Sequence, residues 1–331
     1  MRTPATLKKI SEHLNISIST VSRALKDHPD VSPDTKNRVK ELAEMLDYEP
    51  NAFAVNLRKK HSNLFAILVP EISGYFYHSF IQAVEEEARA IGFNTMILQS
   101  MNNPEVEKQN LKLCRYNHVA GVFVSITAGT IQFDPFKKMD EMEVPLIFID
   151  KLPEGLTANK IGVADAEVGQ LAAEKLAGSG KMKIYAVLGP QNLSITQRRH
   201  KGFADYMAQH APNLELTYAY CNNEDEAQEA ARQALKAQHE PLAFFCMSDQ
   251  VLCGVQKAIY QSGRHIPNDV ALLAASNGFL PHLYYPEVSY VETSGYKLGK
   301  LAFGRMKEIM EGKKFIRENY LDVTYHPGGT L

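Results

Sequence analysis

Residues 6–60 read TLKKISEHLNISISTVSRALKDHPDVSPDTKNRVKELAEMLDYEPNAFAVNLRKK. Thr6 is placed to cap a helix through Leu7, Ile10 and Leu14, apolar at i, i+3 and i+7. Asn15 then stands where the chain must turn sharply, and Asn tolerates a left-handed backbone better than any residue but Gly. Ser17 caps a second helix, SISTVSRALK, with Val21 and Leu25 turned inward. Three or four residues between two such helices is the layout of a helix-turn-helix. Ser32-Pro33-Asp34 opens a third helix with a cap, a Pro at the first helical position and an acid in the first turn. Its inner stripe is Val39, Leu42, Ala43 and Leu46. The outer face of the second helix carries Ile18, Ser19, Ser22 and Arg23. Short polar groups and one Arg suit the DNA major groove, where Arg bonds guanine O6 and N7 in a bidentate way.

The whole chain has 331 residues and a formal net charge of -2, which taken alone argues against nucleic acid. The charge is split, however. Residues 1–63 hold eleven Lys/Arg against eight Asp/Glu, a net of +3, and the remainder carries -5. A basic head on an acidic body is a division of labour that a total conceals. With 45% hydrophobic and 22% charged residues the composition is that of a globular protein, not a disordered one. Four Cys make no disulfide framework. The longest apolar runs, such as Leu64 to Val69, are too short to span a membrane. MRTPATLKKISEHL has no apolar signal core, so a cytoplasmic location is expected.

Three runs of the head, S-x-S-T-V-S-R-x-L, V-S-P-x-T and Y-x-P-N-A, stand at a spacing that resembles the DNA-binding head of the lactose/galactose repressor (LacI/GalR) family of bacterial transcriptional regulators. The match extends from Thr6 to about Lys60. Ser11 replaces a usual Ala and Asn15 a usual Gly, and both fit the geometry. The resemblance implies that Ile18, Ser19 and Arg23 read bases. It places Thr20 and Ser22 near phosphates, which fix register without specifying sequence, and Thr6, Ser17 and Asn51 on the DNA side with them. It further implies a hinge helix from Asn51 to Leu57 after Pro50, with Leu57 as an apolar wedge in the minor groove.

From about residue 64 the pattern changes to alternating strands and helices. LFAILVPEI, FNTMILQS, GVFVSI and VPLIFID read as strands, with helices at Phe80–Ile91 and Lys108–His118 between them. After about 164 the alternation resumes. Helices are expected at Val168–Leu176, Gln197–His210, Glu226–Gln238 and Val251–Gln261, and strands at KIYAVLG, LTYAYC, AFFCMS and VALLAAS. Parallel sheets with helices on both faces follow. The expected fold is therefore α/β: a helix-turn-helix head of three helices with a hinge helix, then a two-lobed body of parallel sheets like that of the periplasmic binding proteins. The expected domains are 1–60 for head and hinge and 61–331 for effector binding and dimerisation. Lobe one takes about 62–162 plus 293–322, and lobe two 163–292 plus 323–331, so the chain crosses near 162, 292 and 322.

No catalytic constellation or cofactor motif is present. The His and Cys residues lack metal-ligand spacing, so no metal is expected. Cys114, Cys221, Cys246 and Cys253 read as buried apolar residues. Gly178-Ser179-Gly180-Lys181 imitates a phosphate-binding loop, but the first Gly of that motif falls on Lys175, Met182 stands where Ser or Thr is required, and the run precedes a strand rather than following one.

A ligand cleft is the better reading, because open α/β lobes bind outside the carboxyl ends of their strands. Those ends offer Ser73, Tyr75 and Phe76 after strand one, and Asp150-Lys151 after strand four. They also offer Arg198 and Arg199 in the loop before Gly202-Phe203, then Ser248-Asp249 and Ser276-Asn277. Carboxylate, guanidinium and amide groups grip vicinal hydroxyls, and an aromatic covers a sugar's apolar face. The family's effector contacts match Tyr75, Phe76, Asp150, Arg199, Asp249 and Asn277 by position. Lys151 stands where Arg is commoner, and Ser276-Asn277 where the family has Asp-Asp, so the ligand is not specified. The function expected is a DNA-binding regulator, a repressor rather than an enzyme, controlled by a small molecule, a sugar or a sugar derivative. Its partners are a pseudo-palindromic DNA operator, the effector and a second copy of the chain. The surfaces expected to pair in the homodimer are the outer sides of helix 80–91 and of its counterpart in lobe two. The alternatives are a sugar-binding protein of the transporter type, which needs no head, a regulator answering to a purine-like effector, and a sugar-modifying enzyme on the same layers.

Overall fold

The computed structural model describes residues 6–48, 62–72, 74–237, 240–313 and 315–331. Two compact units divide the chain, residues 1–62 and 63–331.

In the first unit, helix α1 spans Leu7–Leu14, α2 Ile18–Ala24 and α3 Pro33–Met45. Each begins where a side-chain oxygen meets an orphan amide. Thr6 accepts from Lys9 N, Ser17 from Thr20 N and Ser32 from Thr35 N. Asn15 ends α1 at φ 49 and ψ 46, the left-handed conformation the tight turn demands. Ser11, although buried, satisfies its hydroxyl by donating to Lys8 O at 2.7 Å. Ile10, Val21, Ala24, Val31, Val39 and Ala43 form a small core. A fully buried Val or Ile contributes about 1.5–3 kcal/mol, so so few residues leave this unit little to spare. The expected hinge helix, with Asn51 and Leu57, lies outside the described residues.

The second unit holds two six-stranded sheets. Sheet A collects β1 (Leu64–Val69), β2 (Asn94–Gln99), β3 (Gly121–Val124), β4 (Leu146–Ile149), β5 (Asn159–Val163) and β11 (Glu318–Leu321), in the order β11-β5-β4-β3-β1-β2. Helices α4 (Tyr75–Ala90) and α11 (Gly295–Met310) cover one face, and α5 (Pro104–Tyr116) and α6 (Asp134–Glu141) the other. Sheet B collects β6 (Lys183–Leu188), β7 (Glu215–Tyr220), β8 (Leu242–Cys246), β9 (Val270–Ser276), β10 (Ser289–Glu292) and β12 (Tyr325–His326), in the order β12-β10-β9-β8-β6-β7. It lies between α7 (Asp165–Ala177) with α8 (Ser194–His210) and α9 (Glu224–Ala237) with α10 (Asp249–Ser262). Strands β3, β8 and β9 are buried along their whole length, which is why they read as unbroken apolar runs. The chain passes between sheets at Val163–Asp165, Glu292–Gly295 and Leu321–Tyr325.

Several expectations need correction. The sheets are not wholly parallel, because β12 pairs antiparallel with β10. Helix α4 starts at Tyr75 rather than Phe80, so Tyr75 and Phe76 lie on its first turn. Arg198 and Arg199 lie on the second turn of α8, not in a loop. Strands β5, β10, β11 and β12 and helices α6 and α11 had no sequence reading at all. Cys114, Cys221 and Cys246 are buried as expected, but Cys253 is only partly so. Burial pushes the Cys114 thiol up to about 12.

The close packing of α7 on α8 has a specific cause. A Cβ on Gly202 would run into the Ala166 carbonyl oxygen, and one on Gly169 into the Arg199 carbonyl oxygen. Glycine at both positions brings the two backbones into contact.

Candidate functional site

On the first unit, capping leaves the outer face of α2 open. Ile18 is 48% exposed although apolar. Ser19 and Arg23 are exposed and Ser22 and Thr20 partly so. Ser17 spends its hydroxyl on the cap and on contacts to Ser19 Oγ at 2.7 Å and Thr20 Oγ1 at 2.8 Å. Thr6 likewise acts as a cap. An exposed Ile beside short hydroxyls and an Arg can meet a thymine methyl, phosphates and a guanine edge.

On the second unit, strand order reverses at β1/β3 in sheet A and at β6/β8 in sheet B. Crevices open at the carboxyl ends of such reversals. On the sheet A side, Asp150 follows β4 at φ 57, a left-handed position. Tyr77 Oη donates to Asp150 Oδ2 at 2.6 Å and lies 2.9 Å from Ser125 Oγ. Burial, reinforced by the Asp150 charge, holds the Tyr77 hydroxyl protonated well above its ordinary range. Lys151 is pushed down by burial, with Asp150 and Glu71 opposing.

On the sheet B side, Arg199 Nε donates to Asp165 Oδ1 at 2.8 Å and Nη1 to Met247 O at 2.6 Å. Both charged side chains are buried. Burial pushes Asp165 up to about 6, against the pull of Arg199 and with the Asp150 charge adding to the rise. That last influence crosses from one sheet to the other. Asp249, the first residue of α10, accepts from Ser276 Oγ and from Asn277 N at 3.2 Å, and burial raises it too.

The walls meet at several points. Asn277 Oδ1 accepts from Ser79 Oγ at 3.1 Å and from Gly295 N at 2.9 Å, both on the sheet A side. The Tyr75 and Phe279 rings lie with centroids 4.3 Å apart, and both remain exposed. Ser194 Oγ donates to Leu152 O at 3.4 Å, and Asn192 Nδ2 to Ala128 O at 3.3 Å.

Strand ends from both sheets thus carry Tyr75, Asp150, Arg199, Asp249 and Asn277 to the crevice. Four of these are already engaged, Asp150 through the Tyr77 hydroxyl. The Asn277 amide oxygen is taken by the opposite lobe, and both Asp249 oxygens accept from their own lobe. Arg199 has two of its nitrogens committed. Phe76 packs on Tyr77, with centroids 5.5 Å apart, and against the core instead of standing open. Ser73 lies outside the described residues. Sequence reasoning passed over Tyr77, Ser79, Asp165 and Phe279. Asp165 opens α7 straight after the missed strand β5, so no strand end pointed to it. Tyr77 was hidden by starting α4 too late.

Gly178–Lys181 forms the turn after α7, with Gly180 at φ 74 and Lys181 Nζ donating to Asn268 O at 2.6 Å. Among the described residues no cluster of His, Cys, Asp and Glu could hold a metal ion. No described helix is long and apolar enough to cross a membrane.

Comparison with known proteins follows the same division. Residues 6–51 match the family described as bacterial regulatory proteins, lacI family, and residues 173–331 a periplasmic binding protein-like domain. The ribose operon repressor of Halalkalibacterium halodurans is 27% identical over 93% of this chain and 91% of that protein. A lac repressor dimer solved on its operator with the anti-inducer ONPF covers 99% of both chains, with a TM-score of 0.88 and 20% identity. The transcriptional regulator CelR in its cellobiose complex covers 98% of this chain and 99% of its own, with a TM-score of 0.71 and 20% identity. At that identity the solved structures establish the fold. Head, body and full-length relatives agree: this chain is similar to the lacI family of bacterial regulatory proteins over its head and to periplasmic binding protein-like domains over its body.

Proposed function

We propose that this chain is a sequence-specific DNA-binding transcription regulator, a repressor, whose hold on its operator is set by a small carbohydrate between the two lobes of its body. The observation that carries the reading is the open outer face of α2, with Ile18, Ser19 and Arg23 exposed on a helix pinned by the Ser17 cap. In this reading Ile18, Ser19 and Arg23 meet bases. Thr6, Ser17, Thr20, Ser22 and Asn51 lie along the backbone, and Leu57 enters the minor groove. Residues 1–60 are head and hinge, and 61–331 the effector-binding and dimerising body.

A carbohydrate effector is supported by the chemistry of the crevice. Asp150 and Asp249 carry carboxylates, Arg199 a guanidinium and Asn277 an amide, and the exposed Tyr75 ring lies beside Phe279. The names of the relatives point the same way: a ribose operon repressor and a regulator solved with cellobiose. Two heads reading a pseudo-palindrome need a twofold dimer. The protein binds and releases, without turning a substrate over, and works in the cytoplasm with the DNA it reads. The effector acts only through its different affinity for the DNA-competent and DNA-incompetent states.

The test is a gel shift with DNA from upstream of the neighbouring sugar-use genes, across a salt series. A salt-sensitive, sequence-dependent shift that a sugar modulates is the expected result. Equal binding to all fragments, or none, overturns the reading. A thermal-shift screen against sugars, sugar phosphates and purines then names the effector class, because a ligand of the native state raises Tm.

A further inference from the structure

We propose that residues 276–279 are a latch from lobe two that holds the crevice shut when no effector is present, with Tyr75 and Phe279 as its catch.

The root of the latch is fixed on its own lobe. Ser276 Oγ donates to Asp249, and Asn277 N donates to the other oxygen of the same carboxylate at 3.2 Å. Gly278 N donates to Ser276 Oγ at 3.0 Å. Gly278 itself stands at φ 94, where a side chain is strained, and a Cβ there would come within 3.1 Å of Tyr290 Oη. Glycine lets the chain turn over Tyr290 and carry Phe279 out to the rim.

The free end seats on lobe one. Asn277 Oδ1 accepts from Ser79 Oγ and from Gly295 N. Phe279 lies ring on ring with Tyr75, 4.3 Å between centroids. Tyr75 and Ser79 are i and i+4 on α4, so they share one face of that helix. A four-residue segment of one lobe is thus laid along one turn of the other.

Two observations make this a catch and not a piece of core. The first is where the rings sit. Tyr75 is 41% exposed and Phe279 47%. Their chain neighbours Phe76 and Leu280 pack against buried clusters, whereas Tyr75 and Phe279 do not. Parting the lobes would return both rings to water, which apolar burial opposes, and would leave the clusters intact. The second is the length of the other bonds between the lobes. Ser194 Oγ meets Leu152 O at 3.4 Å and Asn192 Nδ2 meets Ala128 O at 3.3 Å. Both are longer than the 3.1 Å and 2.9 Å bonds to Asn277, so the latch supplies the tighter closure.

The consequence for an effector, which rests on the proposed function, is one of rate: entry and exit wait for the catch to lift. The latch itself does not depend on that function.

The experiment uses the full chain without DNA or sugar. Native-state hydrogen exchange follows the Gly295 amide, whose acceptor is the Asn277 side chain, with amides of the buried strand β8 as reference. Phe279→Ala removes neither partner of that bond, yet it should speed Gly295 exchange about two- to tenfold, the contribution of one aromatic pair. Tyr75→Ala should do the same, and the double variant should be no faster than either. Phe279→Tyr keeps a ring and should keep the parent rate. In parallel, spin labels at Lys137→Cys and Lys201→Cys, exposed positions on α6 and α8, report the distance between the lobes. Cys253→Ser supplies the background, since the other three Cys are buried. Phe279→Ala should enlarge the longer-distance population. An unchanged rate at Gly295, equal acceleration in β8, single-variant effects that multiply in the double variant, or an unchanged distance distribution each overturns the latch. All of these are read without ligand or DNA, so a failed gel shift leaves the latch standing and a failed latch leaves the proposed function standing.

Discussion

Asn277, at the end of β9, gives its amide oxygen to Ser79 Oγ at 3.1 Å and to Gly295 N at 2.9 Å across the gap between the lobes. Its backbone N–H meanwhile donates to Asp249 Oδ2 at 3.2 Å. One residue thus links a crevice carboxylate to the opposite wall. Replacing it with Ala removes the acceptor of two donors. We expect Asn277→Ala to cost about 1–3 kcal/mol, seen as a lower Tm, and to enlarge the radius of gyration in solution scattering. An unchanged radius would show that the other cross-lobe contacts hold the lobes without it.

Gly202→Ala tests the helix contact. The new methyl meets the Ala166 carbonyl oxygen, part of the backbone and unable to rotate away. Overpacking of this kind costs about 1–3 kcal/mol and sometimes more. Denaturant melts should show the larger unit weakened, while the head, a separate compact unit, keeps its helical signal. A variant as stable as the parent sinks the close-contact account.

Arg23→Ala addresses base reading. A bidentate Arg–guanine contact is worth about 1–3 kcal/mol of discrimination. Binding to the specific site should fall by that amount, and preference at one base pair should relax. Uniform weakening on every sequence would assign Arg23 to a phosphate.

Asp165 gives a pH signature. Burial lifts it from 3.8 to about 6. Its folded-state value is raised, so the stability it contributes is complete below 3.8 and lost as pH climbs through 6. Relative to Asp165→Asn, whose side chain cannot titrate, the native chain should lose up to about 3 kcal/mol across that window. The check is urea unfolding of both chains at several pH values. Parallel curves would mean that Arg199 holds Asp165 at its ordinary value.

Much of the head was legible in the sequence because its signals are local. Thr6, Asn15, Ser17 and Ser32-Pro33 each dictate a cap or turn within four residues of themselves, and the helices follow. The strands of the body were legible where burial on both faces makes them uniformly apolar, as in VALLAAS. Strand β5 was not, because Lys160 interrupts it. That lysine is buried and pairs with Glu318 at 2.8 Å, a partner on β11 far along the chain. Helix α6, eight residues with only Phe136 and Met139 turned inward, carries too weak a period. The crevice was legible as a set of strand ends, but not in its internal wiring. Nothing local to Asn277 says that its oxygen faces Ser79, nor does anything near Arg199 point to Asp165, 34 residues earlier.

The glycine contact between α7 and α8 has a mechanical consequence. Helix α7 begins at the first passage of the chain between sheets, and α8 carries Arg199. With Gly169 and Gly202 letting backbone touch backbone, there is no cushion of side chains between them to absorb a displacement. The Arg199–Asp165 pair spans this same seam, one partner on each helix. Turning the first passage strand therefore carries Arg199 along with it, without slack. Passage and Arg199 are one casting, so a mutation that shifts one shifts the other.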